Sequence, residues 1–123
     1  MERRLRLRES YDIQHTRAKG SSATSGPLVA RILPNRLDPA QNRYTVVAGK
    51  RVGKSHDRNR CKRLAREALR LIHPQLEQGF DVVLIVRGGP QELTGLDVAS
   101  ESIRQIFSKA RMLKAPAREA IHD

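Results

Sequence analysis

Between Lys50 and Arg70 the chain reads KRVGKSHDRNRCKRLAREALR, with nine lysines and arginines against only Asp57 and Glu67, a net charge of +7 in 21 residues. Within that charge runs an apolar order: Cys61, Leu64, Ala65, Ala68, Leu69 and Ile72 recur at i, i+3, i+4, i+7, i+8 and i+11. That spacing is one face of an α-helix packed on a core. The segment therefore has to fold as a rigid rod that buries one side and holds its cations on the other. Any fold for this chain must supply a surface to cover that stripe.

The 123 residues are enough for one domain with one modest core, so a single domain over 1–123 is expected, with its core at about 5–114. Net charge is +11, and it is concentrated: residues 1–19 carry +3, 20–49 carry +2 and 71–123 carry −1. Charge of this kind calls for a polyanionic partner. Nucleic acid fits better than an anionic membrane, because the apolar face of the basic helix is small and aliphatic rather than rich in Trp and Phe. No apolar run approaches the ~20 residues of a membrane-spanning helix. The arginine-rich start, MERRLRLRES, lacks the apolar centre of a secretion signal. The single Cys61 excludes an internal disulfide, and cytoplasmic location with no membrane partner is the expectation.

Along the chain, residues 1–8 read as loose. Ser10 is a candidate cap for a short helix ending at Gly20, and GSSATSG reads as a turn or flexible connection. LVARIL (28–33) and RYTVVAG (43–49) read as strands, and the loop PNRLDPAQN between them makes an antiparallel pair plausible. Asp57 or Ser55 is a candidate cap of the basic helix, which His73-Pro74 closes. DVVLIVR (81–87) is a continuous apolar run suited to a central strand. A last helix, capped by Thr94, carries the stripe Ala99, Ile103, Ile106, Phe107, Ala110 and Leu113. The tail, 115–123, reads as frayed. This order predicts an α+β fold: a small two-layer sandwich with about three helices on an antiparallel or mixed sheet of up to four strands.

The sequence excludes some functions. Asp12, Asp38, Asp57, Asp81 and Asp97 are scattered over different elements, and the four histidines form no pattern, so no nuclease site of its own is expected in the polypeptide. No second recognition helix lies beside the basic one, which argues against a helix-turn-helix DNA reader. A structural RNA-binding protein of similar build is the rival reading.

The ordered set Lys50-Arg51-Val52-Gly53-Lys54, Arg58-Asn59-Arg60, Lys62-Arg63 and Arg66-Glu67 resembles the signature of the bacterial ribonuclease P protein component. An N-terminal RLR…SYDI…G, the DVVLIVR strand and the closing amphipathic helix agree in order, so the resemblance spans about residues 5–114. It implies a subunit that assists a catalytic RNA in magnesium-dependent endonucleolytic removal of the 5′ leader from precursor tRNA and broadens the range of substrates. Partners are then the ribonuclease P RNA, in a 1:1 complex, and the precursor tRNA. The protein alone would bind no cofactor, and magnesium would enter through the RNA. The resemblance also implies a left-handed β-α-β crossover, where general topology would give the right-handed form in about 98% of cases.

Carried over by position, the implied RNA-binding residues are Lys50, Arg51, Lys54, Arg58, Asn59, Arg60, Lys62, Arg63 and Arg66. Arg58, Lys62 and Arg66 follow an i, i+4, i+8 line that could track the leader in a cleft between helix and sheet, joined by Tyr11 and His15 on the first helix. Asn59, Arg60 and Arg63 would then face the RNA subunit. Departures from the family pattern are Gln14, His15, Gly49 and Ser55-His56-Asp57. With only 3% aromatic residues, binding should be mainly electrostatic.

Overall fold

The computed structural model describes residues 2–115. Its regular elements are α1 (Ser10–Lys19), β1 (Ser21–Ser25), β2 (Leu28–Pro34), β3 (Arg43–Ala48), α2 (Ser55–Ile72), β4 (Phe80–Val86) and α3 (Leu96–Lys109). The four strands form one mixed sheet in the order β1-β2-β4-β3. β1 and β4 both run antiparallel to β2, while β3 runs parallel to β4, so α2 is the helix of a β-α-β crossover.

The apolar run of the last strand explains its central place. Val82, Val83, Leu84 and Val86 are all buried, as a strand with neighbours on both edges and cover on both faces requires. The register puts Leu28, Ala30 and Ile32 of β2 beside Val86, Leu84 and Val82 of β4, with Tyr44 and Val46 of β3 completing the same face. Against this face lie the stripes of α2 and α3: Cys61, Ala65, Ala68, Leu69 and Ile72 from one, Ala99, Ile103, Ile106 and Phe107 from the other. α1 lies on the opposite face, mainly over β2 and β4.

Several expectations are corrected. The segment GSSATSG is not a flexible connection: its centre is strand β1, a hairpin partner of β2 with Ser25 paired to Leu28. The expected antiparallel pairing of β2 with β3 does not occur, because β4 inserts between them and buries both its edges. Residues 2–8, expected to be loose, are packed. Leu5 and Leu7 are buried, a 3-10 turn spans Arg3–Leu5, and the Leu7 amide donates to the Tyr44 carbonyl at 2.7 Å. Ser10, Ser55 or Asp57, and Thr94 are not the caps. Glu9, Lys54 and Gly95 occupy those positions, none with a side-chain cap bond. The tail beyond residue 115 lies outside the described residues.

Candidate nucleic-acid interface

The basic segment is anchored at two points. In the turn before α2, Val52 is buried between exposed Lys50, Arg51 and Lys54, so the turn's charges stand on a fixed support. Gly53 has φ +143, a conformation that L side chains rarely adopt, and the Asp57 carboxylate packs where a Cβ would sit, 3.0 Å away. In α2 the buried stripe fixes the helix by its other side. Burial pushes the Cys61 thiol up, with the nearby Arg60 opposing it, so this thiol is a protonated packing group.

The cations then divide by helical angle. At 100° per residue, Arg58, Lys62 and Arg66 lie on one flank, Asn59, Arg63 and Arg70 on the outward ridge, and Arg60 on the other flank. On the first flank Arg66 faces the open edge of β3, lining a hollow with Arg6, Arg8, Tyr44, Thr45 and Val46. The other flank faces α3, where Arg60 donates weakly to the Thr94 carbonyl at 3.4 Å. Between ridge and α3, Arg63, Arg66, Arg70 and Leu96 line a second shallow hollow.

Most of this charge is not neutralised internally. Arg70 is paired with Glu67, Nε to Oε1 at 3.0 Å, and that hydrogen bond lowers the Glu67 pKa and raises that of Arg70. Arg58 donates to Ser55 Oγ at 3.2 Å. Among the described residues, Lys50, Arg51, Lys54, Asn59, Lys62, Arg63 and Arg66 have no side-chain partner. The predicted nine are thus brought together on one continuous surface, turn plus helix.

Tyr11 and His15 stand apart from that row. Their rings stack at 5.5 Å and 10°, and Tyr11 is 74% exposed. The buried face of α1 is marked by Thr16, more than 90° round the helix from both aromatics. A shallow hollow along α1 is lined instead by Ile13, Gln14, Arg17 and Ala18. α1 is fixed to the sheet by Arg43, which grips Asp81 through Nε and a terminal nitrogen at 2.9 and 2.8 Å and reaches Asp12 at 3.7 Å.

Sequence reasoning passed over Arg6 and Arg8. The signal was present: RLRLR alternates, and its leucines point into the core while its arginines stay exposed along β3. Among the described residues no group of three or more His, Cys, Asp or Glu is placed to hold a metal ion. No described helix is long and apolar enough to cross a membrane.

The family model for ribonuclease P matches residues 1–111. The ribonuclease P protein component of Caldanaerobacter subterraneus subsp. tengcongensis is 31% identical over 117 residues, which cover 95% of this chain and 98% of that protein. That of Herpetosiphon aurantiacus is 38% identical over 109 residues, covering 89% and 83%. In fold, the chain is similar to the RNase P protein of Staphylococcus aureus, with a TM-score of 0.76 at 21% identity over 89% of this chain and 98% of that one. For the RNase P protein from Thermotoga maritima the TM-score is 0.74 at 25% identity, over 85% and 96%.

Proposed function

We propose, from the premise that this chain belongs to the ribonuclease P protein family and is a ribonuclease P subunit, that it binds the catalytic RNA and the 5′ leader of precursor tRNA in the cytoplasm. In this reading the RNA performs the hydrolysis with magnesium, in a 1:1 complex. The polypeptide supplies position: it holds the leader and the RNA against one another and screens their repulsion.

The observation that carries the reading is the row of cations on the buried-side-anchored turn and helix, most of them without an internal partner. Side chains already fixed on a helix lose less freedom on binding than the same charges on a loop, which would be ordered at ~1–2 kcal/mol per residue. Helical turns of about 5.4 Å space Arg58, Lys62 and Arg66 on a scale similar to successive phosphates. Arginine adds a planar fork for bidentate phosphate contact. In this reading Arg58, Lys62 and Arg66 on one flank of α2 face the leader, while Asn59 and Arg63 on the ridge and Arg60 on the other flank face the RNA subunit, with Lys50, Arg51 and Lys54 at their head. Tyr11 and His15 offer a stacked, exposed platform for a leader base.

The test is cleavage of a precursor tRNA by a bacterial ribonuclease P RNA at low magnesium, with and without the protein. Strong stimulation, lost when Arg58, Arg60 and Lys62 are together changed to Ala, is expected. Tight, salt-sensitive RNA binding without stimulation would replace this reading with that of a structural RNA-binding protein.

A further inference from the structure

The open edge of β3 holds a hollow of about 380 Å³ that belongs neither to the turn nor to the outward ridge of α2. Three arginines from distant parts of the chain border it: Arg6 and Arg8 from the N-terminal segment and Arg66 from α2. Among the described residues Arg8 and Arg66 have no hydrogen-bond or ion-pair partner, and no acidic side chain is among the residues that line the concavity they share. Bringing like charges together is unfavourable unless a counter-charge is supplied.

The backbone adds a donor. Tyr44 turns its carbonyl away from β4, since that oxygen accepts from the Leu7 amide. Main-chain polar groups alternate along a strand, so Val46, two residues on, presents its N–H and C=O to the same open side. The N-terminal segment meets β3 at a single bridge, Arg6 to Tyr44. Val46 lines the hollow with its outward amide unmatched by any further strand.

We propose that this hollow is a phosphate-binding site, in which Arg8 and Arg66 grip one tetrahedral anion from two sides and the Val46 N–H donates to it. Backbone N–H and guanidinium donors lining one concavity suit phosphate oxygens. The ligand is a phosphate group, either of an RNA strand or of a small free anion, and only the first source rests on the reading in the preceding section. The site would seat a strand passing along the β3 edge and held from α2 by Arg66.

The experiment is titration of the full-length protein with inorganic phosphate, and separately with a short single-stranded oligoribonucleotide, at constant ionic strength. The amide resonance of Val46 is followed by heteronuclear NMR. Saturable movement of the Val46 resonance is expected, with Arg8→Gln and Arg66→Gln each weakening binding about tenfold, the scale of one charge-assisted hydrogen bond. Arg104→Gln, a charge-matched change on α3, should leave it unaltered. Movement with phosphate but not with oligonucleotide would assign the site to small anions; saturation by both, with the oligonucleotide tighter, would assign it to RNA. A Val46 resonance that stays still, or moves equally in all three variants, would overturn the site. Because no ribonuclease P RNA is present, that result leaves the subunit reading to its own cleavage assay.

Discussion

The Tyr44 hydroxyl is hydrogen-bonded to Nδ1 of His73 across 2.7 Å, and its oxygen also accepts from Asn42 Nδ2 at 3.1 Å. Asn42 in turn donates to the Glu77 carbonyl and accepts from the Phe80 amide. The chain of bonds ties β3 to the end of α2 and the start of β4. Burial, then the charge of Arg4, hold the His73 pKa below its ordinary value against the opposing pull of Glu2, with Lys114 adding the smallest push downward. A depressed folded-state pKa means that this contribution is present above the unfolded value, ~6.5, and is lost as pH falls through the folded one. Thermal unfolding should therefore show a Tm that drops below about pH 6.5, and His73→Phe should flatten that part of the profile.

Tyr44 sets the opposite limit. Its pKa is pushed up to about 12, first by burial, with the Asn42 bond opposing. A raised pKa gives stability that is complete below the unfolded value near 10 and lost as pH rises toward 12. Tyr44→Phe leaves buried Asn42 and half-buried His73 without their bond and should cost about 1–3 kcal/mol. Urea unfolding at pH 7.5 would measure it, and the alkaline loss should shrink in the same variant.

Arg43 and Asp81 form a two-point ion pair on the α1 side of the sheet, with Asn35 Nδ2 on the same carboxylate at 2.9 Å. Asp81 is buried, and Arg43 is only partly exposed. Arg43→Met removes the cation and leaves the carboxylate in place, so it should cost about 3–5 kcal/mol. The double change Arg43→Met with Asp81→Leu should cost less than Arg43→Met alone. Denaturant midpoints of the two variants check this directly.

Gly20 and Gly49 separate close approach from conformational freedom. Gly20 has an ordinary φ of −71°, yet a Cβ there would meet the Thr16 carbonyl at 2.6 Å and the Ile32 amide nitrogen at 2.8 Å. Both are backbone, where α1 turns into the sheet. Gly20→Ala should destabilise by about 1–3 kcal/mol or more, as overpacking does. At Gly49, also with negative φ, a Cβ meets nothing within 4 Å. Gly49→Ser should stay within ~0.5 kcal/mol of the parent.

Tyr11 offers a test that stability should not register. Its ring is exposed and stacks only on His15. Tyr11→Ala should leave Tm within a degree or two while weakening leader binding by the ~1–3 kcal/mol of one base stack. Fluorescence anisotropy with a leader-bearing substrate and a leaderless one separates that term from general charge.

Legibility followed burial. α2, α3 and β4 were readable because each is covered by core, and coverage writes a period into the side chains: Cys61 to Ile72, Ala99 to Phe107, Val82 to Val86. β1 was not readable, since an edge strand of Ser, Ala and Thr has no buried row to mark it. Leu5 and Leu7 were hidden by the arginines between them. The pairing of β4 between β2 and β3 is a long-range choice that no local pattern specifies, and helix starts at Glu9, Lys54 and Gly95 lack the side-chain bonds that capping rules detect. For the interface, the cations were legible as a row on one helix, whereas Arg6 and Arg8 joined it only through tertiary folding.

The strand order β1-β2-β4-β3 also sets a timetable for the nascent chain. The central strand is made last, ending at Val86, so everything before it can form only the β1-β2 hairpin and helices. β3 can meet only the N-terminal segment until α2 has been completed and β4 made, and until then the buried row of α2 has no complete sheet to rest on. The most basic part of the protein is thus synthesised before the scaffold that holds it. Pairing over such separations is slow because loop closure precedes any reward. During that interval the cations of α2 are displayed on an unanchored chain.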